Sequence, residues 1–147
     1  GLDPHETALA VSTLVADRVS YLPGATSVNT SPAEAWEQGA GVCQDITHLT
    51  VALLRGVGLP ARYVSGYLHP EREAELHRPV AGQSHAWIEY WAGDWCGYDP
   101  TNRTRADESH VVVARGRDYD DVTPHKGIYR GVPGGSPEVS VEFTRVA

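Results

Sequence analysis

Gly39-Ala40-Gly41-Val42-Cys43-Gln44-Asp45-Ile46-Thr47-His48, read on to Leu59-Pro60, decides the fold. Small residues lead into a cysteine. Behind it Ile46, Leu49, Leu53, Leu54 and Val57 recur at three- and four-residue steps, the apolar stripe of a helix. Gly56 and Gly58 offer left-handed stops, and Pro60 forbids continuation. Cys43 is therefore predicted in the first turn of a helix docked on a core, where unpaired N–H groups and the helix dipole favour a thiolate over a thiol. The plain alternative is a small buried hydrophobe, as most free cysteines are. At about 100° per residue Cys43 lies on the border of the stripe, while Asp45 and His48 fall on the opposite side. A base for the sulfur has to come from elsewhere in the chain.

The 147 residues suit a single domain, 1–147, large enough for its own core. The chain opens on Gly1 and contains no methionine, which suggests a piece of a longer protein with any upstream targeting segment outside it. A hydrophobic content of 41% with four tryptophans fits a globular chain, and no apolar run reaches membrane-spanning length, so no membrane partner is expected within it. The net charge of −7, with basic residues scattered, argues against nucleic acid as a partner. Two cysteines are too few for a disulfide framework or a thiolate zinc site. A Cys43–Cys96 bridge is compatible with the count, but a reducing, cytoplasmic setting is the default expectation. His48, His69, His77, His85 and His110, with Asp45 and Asp99, are the available metal ligands. None shows a compact ligand spacing, so neither a metal nor another cofactor is expected.

Asp3-Pro4-His5-Glu6 reads as a helix start, with Asp3 as N-cap and Glu6 as its capping-box partner. Leu9, Val11, Leu14, Val15 and Val19 are expected to carry its apolar face to about Ser20, before Leu22-Pro23-Gly24. Ser31-Pro32-Ala33-Glu34 repeats the start signal for a short helix that Gly39 closes. After Pro60 the period changes. A strand is predicted from Arg62 to Leu68, a long polar loop over 69–83, strands over Ser84–Trp91 and Trp95–Asp99 about an Ala92-Gly93-Asp94 turn, and another over 110–115. Val139, Val141 and Phe143 alternate with polar residues in a last, half-exposed strand. Helices followed by an antiparallel sheet define an α+β fold.

In the first hairpin strand His85, Trp87 and Glu89 share one face, and Ala86, Ile88 and Tyr90 the other. With a three-residue loop Trp91 faces Trp95 and Trp87 faces Asp99, which sets His85 diagonal to Asp99 on one face. A two-residue loop would instead set Asp99 opposite Ile88. Cys43, His85 and Asp99 are thus a candidate nucleophile, base and orienter, with Glu89 ranked second as orienter. Taken singly, His85 also reads as a satisfied core histidine and Asp99 as a turn-former before Pro100.

Gly41-Val42-Cys43-Gln44-Asp45 with His48, then Arg55-Gly56-Val57-Gly58-Leu59-Pro60-Ala61-Arg62-Tyr63-Val64-Ser65-Gly66-Tyr67, Ser84-His85-Ala86-Trp87, Asp99-Pro100-Thr101-Asn102 and Gly116-Arg117-Asp118-Tyr119 resemble, in order, the blocks of the bacterial transglutaminase-like domain. They cover most of residues 31–131. The resemblance implies a papain-like fold, with N-terminal helices and a nucleophile helix packed on an antiparallel sheet. It implies Cys43 as nucleophile, His85 as base and Asp99 as orienter in acyl transfer on a peptide or protein amide, through a thioester. The papain signature Cys-Gly-Ser-Cys-Trp is absent, which points to the transglutaminase-like branch, and no calcium-loop pattern is present. Asp45 and His48 are family-typical, with a structural hydrogen-bonding role expected. The Cys43 N–H, the Gln38 side chain and the Trp36 indole are candidate oxyanion donors, and Trp87 is either a wall of the acyl tunnel or core packing. The rival reading is a non-catalytic peptide-binding or scaffold module that keeps the fold. The intact Cys43, His85 and Asp99 argue against it, since binding alone has no need of them.

Overall fold

Asp3 accepts the Glu6 N–H and starts helix α1, Pro4–Arg18, with proline in its first turn. Ser31 and Glu34 form a reciprocal capping box at the start of α2, Pro32–Gln38, which ends at Gly39 in the left-handed conformation, φ 67°. Helix α3 spans Cys43–Gly56. The computed structural model describes residues 1, 3–27, 30–70, 75–123 and 140–146. Val139 of the expected last strand, and residues 124–131 of the family-like region, lie outside them.

The strands are β1, Ser20–Tyr21; β2, Ala40–Gly41; β3, Ala61–Leu68; β4, Pro79–Ala81; β5, Gln83–Trp91; β6, Trp95–Asp99; β7, Thr104–Arg105; β8, His110–Gly116; and β9, Glu142–Thr144. Five of them form an antiparallel sheet in the order β7-β6-β5-β3-β8. Helix α3 is the hub. On one side Ile46 and Leu49 pack with Val15, Val19 and Ala35 of the helical layer. On the other, Val51 and Leu54 pack with Ala61, Ile88 and Tyr90 of the sheet and Ala8 of α1. This is a mixed α+β fold, three helices on a five-stranded antiparallel sheet.

Three expectations need correction. The buried stripe of α1 is Ala8, Ser12, Val15 and, just past its end, Val19, whereas Leu9 and Leu14 are 52% and 55% exposed. The steps 8-12-15-19 are as regular as those expected, and the small Ala8 and Ser12 let α1 lie close against α3. On α3 the expected stripe holds at Ile46, Leu49 and Leu54, with Leu53 partly buried, but Val57 follows the last turn and is exposed. The long loop 69–83 contains β4, which pairs antiparallel with β9. A three-residue strand beginning at a proline carries no readable period. The parallel pairing of β1 with β2, two residues each, is invisible for the same reason, and it ties the end of α1 to the segment that delivers Cys43.

The hairpin has the three-residue loop. Trp91 faces Trp95, Tyr90 faces Cys96 and Ile88 faces Tyr98, so Trp87 stands opposite Asp99. Both Cys43 and Cys96 are free thiols.

Candidate active site

Entry into α3 is pinned from both sides of Gly41. Asp45 is buried; one of its carboxylate oxygens accepts the Val42 N–H at 2.8 Å and the Thr26 hydroxyl at 2.6 Å. A Cβ on Gly41 would come within 2.8 Å of that oxygen, so the close approach requires glycine. The resulting turn delivers half-buried Cys43 as the first residue of α3, packed against Tyr63, Ala86 and Val122.

His85 stands near the start of β5 with its side chain only 9% exposed. Its Nε2 lies 2.6 Å from an Asp99 carboxylate oxygen at the end of β6, and the Cys43 side chain is near enough to the ring to act on its charge. Burial pulls the imidazole pKa down, but the bonds and charges of Asp99 and Cys43 outweigh it and push the value up to about 9. The structure thus brings Cys43, His85 and Asp99 together from α3, β5 and β6.

Asp99 is fully enclosed. Its Oδ1 accepts the backbone N–H groups of Thr101 and Asn102, at 3.0 and 3.1 Å, in the turn that Pro100 opens. Oδ2 receives His85 Nε2, the Asn102 side-chain amide at 2.8 Å and His110 Nε2 at 3.1 Å. Burial alone would raise this carboxyl; the bonds from His110, His85 and Asn102, and the His85 charge, hold it far below the usual range.

Asn102 and His110 are the residues that sequence reasoning passed over in this site. The turn Asp99-Pro100-Thr101-Asn102 carried a local signal for Asn102, three residues past the aspartate. His110 reaches Asp99 by a loop between strands, and no local pattern announces that contact.

The remaining candidates lie as follows. Trp87 is fully buried, its ring stacked on His85 and set edge-on to His110. Glu89 binds Arg62 and Arg115 on β3 and β8, with Arg62 lying over the Trp95 ring. His48 Nε2 accepts the Tyr119 N–H at 3.0 Å, and its ring sits beside Tyr63. That bond joins α3 to the Gly116–Tyr119 segment, and burial lowers the His48 pKa against the opposing pull of Asp118, Asp45 and Asp120. Trp36 packs against the α1–α3 helical cluster beneath the Arg18 guanidinium, and Gln38 is exposed at the end of α2.

Among the described residues, His85, Asp99 and His110 form a group whose donor atoms lie within 4.8 Å of one another, as metal ligands must. The two nitrogen–oxygen separations, 2.6 and 3.1 Å, are hydrogen-bond lengths. Tetrahedral ligands around a ~2.0 Å zinc bond stand ~3.3 Å apart, so the arrangement is that of a proton-bonded cluster.

Three helices on an antiparallel sheet, with Cys43 at a helix start, place the fold close to the papain-like class. The chain belongs to the transglutaminase-like superfamily, whose model matches residues 1–100. An uncharacterised Mycobacterium leprae protein is 47% identical over 145 residues, covering 99% of this chain and 52% of its own length. A Pseudomonas aeruginosa protein-glutamine γ-glutamyltransferase is 31% identical over 83 residues, covering 54% of this chain and 12% of its own. A crystal structure of a candidate cysteine protease from Cytophaga hutchinsonii superposes with a TM-score of 0.65 at 32% identity, over 79% of this chain and 37% of that one. The chain therefore spans about half the length, or less, of these relatives.

Proposed function

We propose that the protein performs thiol-dependent acyl transfer on peptide or protein amides, with Cys43 as nucleophile, His85 as acid and base, and Asp99 as orienter. The observation that carries this reading is the enclosed His85 ring, bonded to Asp99 through Nε2 and with Cys43 near enough to raise its pKa. In this mechanism the Cys43 thiolate attacks the amide carbonyl and a C–S bond forms. The carbonyl electron pair moves onto oxygen, where the Cys43 backbone N–H, unpaired in the first helical turn, is one donor. Collapse of the oxyanion breaks the C–N bond while His85 gives its proton to the leaving amine. Water or a second amine then attacks the thioester, His85 takes back a proton, and the C–S bond breaks. Of the two side-chain candidates for a second oxyanion donor, Gln38 is retained, since Trp36 packs in the helical cluster beneath Arg18.

Two measurements test the reading. Iodoacetamide at pH 6 should label Cys43 readily and Cys96 slowly, with His85→Ala suppressing the Cys43 reaction at least tenfold. A peptide and isopeptide panel, assayed for ammonia or amine release, should yield turnover that Cys43→Ala abolishes. Equal labelling of the two cysteines, unaffected by His85→Ala, would leave the chain a binding module of the same fold.

A further inference from the structure

We infer that His110 is a positioning residue of this site: its Nε2–H donates to Asp99 and fixes the carboxylate on which His85 is aligned. The inference rests on the proposed function for its catalytic meaning, and on hydrogen-bond geometry for everything else.

The proton positions follow from what faces each ring nitrogen. His110 is the first residue of β8, with its side chain 3% exposed. Its Nδ1 receives the Asp107 backbone N–H at 3.2 Å, and a backbone N–H can only donate, so Nδ1 presents its lone pair. The Asp107 carboxylate oxygen also lies 3.2 Å from Nδ1, but it is already occupied by the Ser109 N–H and hydroxyl. At the other end Nε2 faces Asp99 Oδ2 at 3.1 Å, where a lone pair would repel the carboxylate and a proton bonds it. Nε2 therefore carries the proton that bonds Asp99, and at Nδ1 the Asp107 N–H, which can only donate, favours the lone pair beside the nearby Asp107 carboxylate and Ser109 hydroxyl.

The fold makes a particular opening for this contact. Asp99 ends β6, while His110 begins β8, and β5 and β3 lie between those two strands in the sheet. Gly66 on β3 pairs with His85 on one side, and beyond a register shift with Val112 on the other. A Cβ there would lie 2.1 Å from the Val111 carbonyl oxygen and 2.7 Å from the Trp87 ring. Without that Cβ, β8 comes close and the Trp87 ring extends over β3, in contact with both histidines. Asp99 Oδ2 thus sits between two imidazoles, one turned to the thiol and one anchored to the Asp107–Ser109 turn.

Two variants separate hydrogen bonding from packing. His110→Phe keeps the ring and loses the donor; His110→Gln loses the ring and keeps an N–H near the Nε2 position. In the wild-type chain, long-range ¹H–¹⁵N NMR should show the His110 proton on Nε2. The Asp99 carboxyl ¹³C resonance should stay at its ionised position to the lowest pH at which the fold survives, in wild type and His110→Gln alike. In His110→Phe it should titrate at least one pH unit higher, and Cys43 alkylation at pH 7 should fall several-fold, with His110→Gln restoring most of it. A proton on Nδ1, an Asp99 titration indifferent to both variants, or a glutamine variant worse than the phenylalanine one would each overturn the inference. If His110→Phe does not fold, the wild-type tautomer and the His110→Gln titration decide. Slow wild-type labelling of Cys43 would count against the proposed function, while the tautomer and the Asp99 titration would still judge His110.

Discussion

His85 links the chemistry of the site to the stability of the fold. Its pKa rises from 6.5 to about 9 on folding, so the native state binds a proton that the unfolded chain releases between those values. The stabilisation is fully present below pH 6.5 and is lost as the pH climbs through about 9. For so enclosed a ring the difference amounts to about 3 kcal/mol. Urea unfolding followed by tryptophan fluorescence should therefore show stability falling between pH 6 and 9.5 in wild type and staying nearly flat in His85→Phe. A wild-type curve that rises over that window would contradict the ion-paired imidazole. Asp99 works in the opposite direction: its pKa is depressed, so its contribution is present above the ordinary carboxylate range and is lost on acidification toward the folded value.

At the scale of elements, the β5–β6 hairpin was legible because two rules act together, alternation of side chains and the odd length of the loop. With a three-residue loop they allow His85 and Asp99 on one face, and the hairpin has that loop. The helix starts at Asp3, Ser31 and Cys43 were legible through cap chemistry and small lead-in residues. The face of α1 was misread because leucine weighs more than alanine in an apolar pattern, whereas a close helix–helix contact selects for small side chains. Strands of two or three residues have too few positions for a period, which hid β1, β2, β4 and β7. His110 stayed hidden because its link to Asp99 is made by tertiary structure alone. Glu89 shows how a shared face can mislead. It lies on the same side of β5 as His85, yet two arginines from the flanking strands hold it. Glu89→Gln should thus lower stability by about 1–3 kcal/mol, since it leaves both guanidinium groups facing a neutral partner. The rate of Cys43 alkylation should stay within twofold of wild type, and a tenfold loss would return Glu89 to the site as an orienter.

Across the whole molecule, the proposed nucleophile and its partners belong to different halves of the chain. The helical cluster of Val15, Val19, Ala35, Ile46 and Leu49 is assembled within the first 49 residues. His85 and Asp99 arrive later, on a hairpin that must pair with β3 and dock on α3. Contacts between residues near in sequence form faster than those that close long loops. On the proposed mechanism, Cys43 would be housed in its helix before His85 arrives, so its reactivity would follow closure of the sheet. Pulse alkylation during refolding should find helical signal recovered first and Cys43 reactivity last, in step with burial of Trp87. On the proposed mechanism the thiol gains its base only when the hairpin that carries His85 has docked.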